Sequence, residues 1–294
     1  MSASKTEPLE IHADTALFRE ALRFTAAETG FIPRLIEKDY FCTLVLHYLC
    51  ASDPTLTFKG GTCLAKVHAG FYRLSEDLDF SISMSTESAR SARSRAADAF
   101  KAAVTTMPAK LRPFTIVEAV SGANGSRQYA ATVAYDSLLG SNRETIKIEV
   151  GLREPHLTTT VITDAHTLLL DPIRGRQIVQ SVPLPCISLI EAMAEKFRAA
   201  LTRRDVAIRD FYDSDHAVRN SGLNPLQPDL LELIARKLEA PNNGAIDVSE
   251  ARLQALRHQL DAQLMPVLRP QDFSRFALDR AFDVVRAVAG ELCK

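Results

Sequence analysis

The sequence predicts an α/β (α+β) protein in which a mixed β-sheet with flanking helices is followed by a C-terminal helical domain. Alternating polar and apolar residues, typical of strands, are concentrated between residues 56 and 152. Beyond residue 184 the apolar residues recur at the three- and four-residue spacing of helices instead. We therefore place an N-terminal α/β domain at residues 1–183 and a helical domain at residues 184–294.

Helical and strand patterns alternate through the N-terminal domain. Residues 15–29 and 36–50 have helical spacing, and residues 56–58 form a short predicted strand. That strand leads into Gly60-Gly61, a turn that glycine adopts at little cost. The remaining predicted elements are a short helix at 62–69, a strand at 77–83, a helix at 88–107, and strands at 114–120, 129–135 and 145–152, with hairpin turns at 122–125 and 140–142.

The C-terminal domain is predicted to contain helices alone. Pro225, Pro241 and Pro266 fall between its periodic segments, where proline ends one helix before the next begins. The predicted helices span residues 191–202, 208–220, 229–239, 249–264 and 273–293.

Composition narrows the class of protein. The 294 residues are 46% hydrophobic and 24% charged, and the net charge is −1. These values are ordinary for a globular domain, and they exclude a polycation that coats nucleic acid by bulk attraction. Any contact with nucleic acid must therefore come from local basic patches.

The cysteines and the polar N-terminus both favour a cytoplasmic protein. The five cysteines are odd in number and form no Cys-x-x-Cys pair, so we expect free thiols rather than a disulfide framework or a zinc site. Residues 1–8 lack the apolar stretch of a signal peptide. No apolar run approaches the ~18–20 residues that span a bilayer, so no membrane partner is expected.

Two aspartates on one predicted strand are the main candidates for chemistry. In Asp77-Leu78-Asp79-Phe80-Ser81 the alternation of a strand puts Asp77 and Asp79 on one face, while Leu78 and Phe80 face the core. Two such carboxylates repel each other unless a cation lies between them. Mg²⁺ or Mn²⁺ suits oxygen ligands of this kind, so both residues are predicted metal ligands with a catalytic role.

The segment Lys59-Gly60-Gly61-Thr62 strengthens this hypothesis. A strand, a glycine turn and a helix start bring backbone N–H groups and a hydroxyl close to a phosphate, so these four residues are predicted to bind a nucleotide. The pattern is not a P-loop, because G-x-x-x-x-G-K-[ST] is absent. The alternative is a tight turn beside an acidic strand with no ligand.

A third carboxylate lies on the strand at 145–152. Alternation puts Lys147 and Glu149 on one face. If this strand lies beside the one that carries Asp77 and Asp79, Glu149 completes a triad able to hold two metal ions. The alternative is a surface strand with an exposed Lys/Glu face.

The sequence contains three motifs in order. The first is Glu37-Lys-Asp-Tyr40. The second pairs the glycine turn Lys59-Gly-Gly-Thr62 with the acidic strand Ser75-Glu-Asp-Leu-Asp-Phe80. The third, at the start of the helical domain, is Glu195-Lys-Phe197 with Thr202 and Arg209-Asp-Phe-Tyr-Asp213. Together they resemble the AbiEii/AbiGii (MenT-type) toxin family of nucleotidyltransferases, and the first resembles that family's N-terminal segment.

The resemblance implies a nucleotidyltransferase fold, an NTP substrate and a divalent metal. It also implies a toxin that adds a nucleotide to tRNA and is restrained by a cognate antitoxin. On this resemblance Lys196 contacts the nucleotide phosphates and takes part in catalysis, and Asp213 orients Lys196 or assists the incoming group. Ser75 is a cap or loop residue near the phosphates.

Five basic residues against one acid occupy positions 196–209, a pattern suited to polyphosphate or an RNA backbone. Arg203, Arg204 and Arg209 are the candidate RNA contacts. The alternative is a solvated basic helix, which the spacing favours for Arg198 and Arg204.

Two other functions stay open. The same chemistry can act on a protein hydroxyl or a small molecule, and the fold can serve as a binding module without turnover. Adjacent aspartates beside an intact glycine turn argue against the binding module. No H-E-x-x-H or G-x-S-x-G pattern supports a zinc hydrolase or a serine nucleophile.

Overall fold

The computed structural model describes residues 10–241 and 243–294, so the segment on which the absence of a signal peptide was argued lies outside the described residues. The chain divides into two compact units. The first, here called the sheet unit, comprises the described residues up to Leu152 and Val161–Cys186. The second, the helical unit, comprises Arg153–Thr160 and Ile187–Lys294. The predicted boundary after residue 183 falls inside a strand, Val182–Cys186.

The described part of the sheet unit contains one seven-stranded mixed sheet, which confirms the predicted fold class. The strands are β1 Thr57–Lys59, β2 Leu78–Ser81, β3 Thr115–Ala123, β4 Gln128–Asp136, β5 Arg143–Gly151, β6 Val161–Ala165 and β7 Val182–Cys186. Their order in the sheet is β3-β4-β5-β2-β1-β7-β6. The pairs β1–β7 and β2–β5 are parallel, and the remaining pairs are antiparallel.

Strands β6 and β7 are absent from the sequence-based prediction. In Val-Pro-Leu-Pro-Cys, Pro183 and Pro185 lack the backbone N–H that a strand pattern presumes, and proline normally argues against a strand inside a sheet. β7 nevertheless pairs with β6 along its whole length and with β1 at its last residue, Cys186.

The helices of the sheet unit begin and end at recognisable signals. The Asp14 carboxylate accepts hydrogen bonds from the Ala16 and Leu17 amides at 3.1 and 3.0 Å and so caps the first helix, which ends at Gly30 with φ +77°. The single helix predicted at 88–107 is two consecutive helices. The helices are α1 Thr15–Thr29, α2 Pro33–Ser52, α3 Gly60–Cys63, α4 Arg90–Ala96 and α5 Asp98–Lys110, and a π-helical turn spans Leu64–His68.

One face of the sheet forms the core against α2. Phe41 of α2 stacks on Tyr135 of β4 with ring centroids 4.0 Å apart. Phe80 and Ile148 share that face and are buried, as the alternation predicted. The opposite face is left to the polar residues of the central strands.

The helical unit confirms the predicted helical character of the C-terminal region. Phe211 stacks on Phe282 in its core, with centroids 5.7 Å apart. The predicted helices at 249–264 and 273–293 are each interrupted. The helices are α6 Leu189–Thr202, α7 Ile208–Asn220, α8 Pro228–Leu238, α9 Glu250–Arg257, α10 Pro270–Arg275 and α11 Leu278–Leu292.

Within the described ranges, no helix has the length and apolar character needed to cross a membrane.

Candidate active site

A row of polar residues crosses the centre of the sheet at one level. Lys59 of β1 pairs with Asp79 of β2, Asp79 pairs with Glu149 of β5, and Glu149 pairs with Ala130 of β4. Neighbouring strands lie about 4.8 Å apart and paired residues point to the same face. The small side chain of Ala130 leaves the end of the row open. The sheet thus brings Asp79 and Glu149 side by side, as the adjacency of their strands required.

Asp77 joins these two carboxylates from the residue before β2. Its backbone carbonyl accepts a hydrogen bond from the Thr62 hydroxyl, which is buried. Thr62 therefore ties the start of α3 to the aspartate segment. Its predicted contact with a nucleotide stays a prediction.

The pKa of Lys147 is affected by the negative charge of these carboxylates. Its ammonium lies 2.5 Å from the Glu149 carboxylate. The hydrogen bond to Glu149 raises the pKa of Lys147, with smaller contributions from the Glu149, Asp77 and Asp79 charges and against the effect of burial.

The carboxylates offer the oxygen ligands that divalent cations take. Asp79 and Glu149 lie on neighbouring strands, Asp77 directly precedes β2, and Lys147, which touches Glu149, is half exposed. Oxygen ligands of this type suit Mg²⁺ or Mn²⁺ and leave coordination positions for phosphate. Asp77, Asp79 and Glu149 would hold such an ion.

Both glycines of the turn are required by close approach. Gly60 has φ +77°, and a Cβ there would lie 2.8 Å from the Asp79 Cβ and closer still to its carboxylate. A Cβ on Gly61 would lie 2.5 Å from the Arg73 Nη2 and 3.3 Å from the Ser75 Oγ. The backbone of the turn is therefore packed directly against an aspartate, an arginine and a serine.

Arg73 is a site residue that the sequence analysis did not identify. The residue is 1% exposed, and its guanidinium donates to the Leu74 carbonyl at 3.1 Å and lies against Gly61. It places a fixed positive charge beside the glycine turn. Its position two residues before Ser75 is the only signal that the sequence offered.

Ion pairs with α2 hold the segment that contains Glu76 and Asp77. Lys38 pairs with Glu76 at 2.6 Å, and Arg34 pairs with Glu76 at 3.2 Å and with Glu144 at 2.7 Å. Because Glu76 directly precedes Asp77, these ion pairs fix the segment that presents the aspartates.

The rest of the N-terminal motif is also structural. Glu37 accepts from the Ser137 hydroxyl and the Leu138 amide, each at 2.7 Å, and burial raises the pKa of Glu37 despite these bonds. Asp39 pairs with the fully buried Lys66 at 2.7 Å and accepts from the Leu168 amide at 2.9 Å. The motif anchors α2 to loops around the sheet.

A second cluster lies in the helical unit. The Lys196 ammonium of α6 is 2.8 Å from the Asp213 carboxylate and 2.9 Å from that of Asp210, both on α7. Arg203 also reaches Asp210, at 3.4 Å. The Asp213 side chain has no exposed surface, so it holds Lys196 in a defined position. Asp210 was not predicted as a member of this cluster.

The remaining basic residues differ in their surroundings. Arg204 is exposed and Arg209 is half buried. The expectation that Arg198 belongs to a solvated face is wrong, because burial lowers the pKa of Arg198 and its Nη1 donates to Asn243 at 3.0 Å. The helix periodicity did not reveal that the Asn243 loop covers this side chain.

Comparison with known proteins agrees with the sequence motifs. A family profile described as the nucleotidyl transferase AbiEii toxin of type IV toxin–antitoxin systems matches residues 47–287. No curated protein sequence matches the chain with significance.

Among solved structures, the chain is similar to MenT4, a nucleotidyltransferase toxin from Mycobacterium tuberculosis H37Rv. The TM-score is 0.58 at 22% identity, over 94% of this chain and 89% of that one. It is also similar to JHP933 from Helicobacter pylori, with a TM-score of 0.50 at 14% identity over 89% and 94% of the two chains. At these identities the structural matches support the fold, whereas the family follows from the profile. The chain therefore belongs to the AbiEii family of nucleotidyltransferase toxins and is a nucleotidyltransferase of the toxin–antitoxin type.

Proposed function

We propose that this protein transfers a nucleotide from an NTP to the 3′ end of a tRNA, in a reaction that depends on Mg²⁺ or Mn²⁺ and blocks translation. The observation that carries the proposal is the alignment of Asp79 with Glu149 on neighbouring strands, with Gly60 packed against Asp79. The acceptor 3′ hydroxyl bonds to the α-phosphorus, the bond from that phosphorus to the β-bridging oxygen breaks, and pyrophosphate leaves. The hydroxyl proton passes to solvent.

The carboxylates supply the metal ligands. Divalent ions at such a site activate an attacking hydroxyl and offset the charge of the leaving pyrophosphate. Asp77 and Asp79 are the proposed catalytic pair, and Glu149 is the third ligand. The role of Lys147 is to neutralise Glu149 until the substrate complex forms, since the two groups lie 2.5 Å apart.

The glycine turn is the proposed phosphate site. Gly60 and Gly61 carry no side chains, so the triphosphate can approach the backbone amides directly. Lys59 and the Ser75 hydroxyl lie at the edges of this turn and add a charge and a hydrogen-bond donor. Arg73 supports Gly61 from inside and increases the positive potential there.

Lys196 is the proposed phosphate ligand of the helical unit. Its contacts with Asp210 and Asp213 orient the ammonium before the nucleotide binds. Asp213, the more buried partner, is the positioning residue.

The tRNA acceptor rests on the family resemblance and on the basic residues Arg203, Arg204 and Arg209. Guanidinium groups that contact phosphates recognise RNA by shape and backbone rather than by base sequence. Membership of a toxin–antitoxin family also implies a cognate antitoxin as partner, and we place the reaction in the cytoplasm where tRNA is charged.

The proposal is tested by incubating the purified protein with each labelled NTP and with total tRNA, with and without EDTA. We expect label on tRNA only when a divalent metal is present. Periodate-oxidised tRNA, which lacks the 3′ diol, should accept no label. Asp79→Asn should abolish transfer, whereas Asp164→Asn, a matched change on the exposed edge strand β6, should not.

Label on the oxidised tRNA, or on protein alone, would contradict the tRNA assignment and favour a protein hydroxyl or another acceptor. Transfer that survives both EDTA and Asp79→Asn would contradict the metal-dependent mechanism. Absence of transfer with every NTP and acceptor would favour the non-catalytic binding module.

A further inference from the structure

Three soft metal-ligand side chains converge in the sheet unit, away from the carboxylate row. The Cys63 and Cys186 sulfurs and a ring nitrogen of His68 all lie within 4.8 Å of one another. Cys63 ends α3, His68 ends the π-helical turn, and Cys186 ends β7. The proposed transfer reaction does not require this combination of residues.

The fold needs an unusual turn to assemble the cluster. Cys63 and His68 are five positions apart, which in an α-helix turns their side chains about 140° away from each other. Here the π-helical turn Leu64–His68, closed by the Ala69 amide to the Leu64 carbonyl at 2.8 Å, brings them to the same side. Such turns are rare and are frequently found at functional sites.

Cys186 reaches the same point from a different part of the sheet. β7 lies parallel to β1, and Cys186 is paired with Phe58, just before the glycine turn that leads into Cys63. Both cysteines are fully buried, and His68 is partly exposed. His68 is therefore the member of the cluster that has contact with solvent.

The three side chains face one another directly. Cys186 shares side-chain hydrogen bonds with both Cys63 and His68. The potential ligand atoms therefore already point toward a common centre.

We propose that Cys63, His68 and Cys186 form a zinc site with water as the fourth ligand. Tetrahedral Zn²⁺ with Zn–S near 2.3 Å and Zn–N near 2.0 Å sets its ligand atoms roughly 3.3–3.8 Å apart, so the cluster needs to contract by only about 1 Å. Soft sulfur ligands select Zn²⁺ over Mg²⁺, so Mg²⁺ does not compete for this cluster.

Zinc at this position would tether two elements next to the phosphate-binding turn. Cys63 directly follows Thr62, so a bond through the ion to Cys186 fixes the end of α3 to β7. The site itself does not depend on the proposed function, because its ligands are separate from Asp77, Asp79 and Glu149.

The test uses full-length protein, reduced and stripped of metal, titrated with Co²⁺ and then with Zn²⁺. We expect one equivalent of Co²⁺ to produce the intense visible bands of tetrahedral cobalt and a thiolate charge-transfer band. Zn²⁺ should remove both. Cys186→Ser and His68→Ala should lose these bands, and Cys50→Ser and Cys293→Ser, matched changes outside the cluster, should keep them.

His68→Ala keeps the test decisive if a buried serine unfolds the protein, because His68 is partly exposed, and circular dichroism checks each variant. Equal cobalt spectra in wild type, Cys186→Ser and His68→Ala would overturn the proposal. The absence of any cobalt band in fully reduced wild-type protein would also overturn it.

Discussion

Replacing Gly60 by alanine is expected to disturb catalysis more than folding. The residue has φ +77°, a conformation that costs a side chain roughly 1–2 kcal/mol. The added Cβ would lie 2.8 Å from the Asp79 Cβ and 2.9 Å from its Cγ, where ordinary contacts begin at 3.4 Å. The backbone of Gly60 is fixed by β1 and α3, so the Asp79 side chain must move instead.

The size of the effect follows from how far the carboxylate moves. Relieving the overlap shifts the Asp79 carboxylate by about 1 Å, and a misplacement of that size at a reacting centre costs on the order of 10²-fold in rate. The backbone conformation alone should lower the free energy of unfolding by only about 1–2 kcal/mol. Any steric overlap that is not relieved adds to this loss.

Gly70 offers a matched control in the same unit. It has φ +62°, and a Cβ there would meet no atom within 4 Å. Gly70→Ala should therefore lose similar stability in urea unfolding while it keeps wild-type nucleotide transfer. Equal activity losses in the two variants, or full activity in Gly60→Ala, would refute the reasoning that packing against Asp79 positions a catalytic group.

Three further predictions concern the charged residues. Asp77→Asn and Asp79→Asn should each abolish transfer, since each removes a proposed metal ligand. The unfolding temperature should stay unchanged or rise slightly, because each change relieves carboxylate repulsion. A variant with near wild-type rates would contradict the metal assignment. Lys196→Ala should reduce transfer by roughly 10²–10³-fold, whereas Arg236→Ala, a control at an exposed basic residue of the same unit, should have little effect. Reversal of both Arg203 and Arg204 to Glu should weaken tRNA binding more than NTP binding, and should make the slope of log affinity against log salt shallower by about 2.

The Lys196 variant needs a stability measurement beside its activity. Asp213 has no exposed surface, so removal of the Lys196 ammonium weakens the compensation of a buried charge and should lower the stability of the variant. Transfer should therefore be assayed well below the unfolding midpoint of the variant. If Lys196→Ala loses as little activity there as Arg236→Ala, Lys196 contributes no more than a solvated surface charge.

The sequence determined the local features of this protein by itself. Alternation in 77–83 and 145–152 predicted which residues face the core, and Leu78, Phe80, Ile146 and Ile148 are indeed buried. The motifs around Gly60, Asp79 and Lys196 identified the family, because these features depend on short-range spacing that a sequence displays directly.

Only the tertiary structure decided which distant residues meet. The parallel pairing of β2 with β5 placed Glu149 beside Asp79, and the pairing of β1 with β7 brought Cys186 to Cys63. Neither follows from periodicity, because strand order and register are set by how the whole core packs. The prolines hid β7, and the fold placed a buried Arg73 behind Gly61. Side-chain alternation can be read directly from the sequence, whereas a site built across several strands forms only when those strands pair.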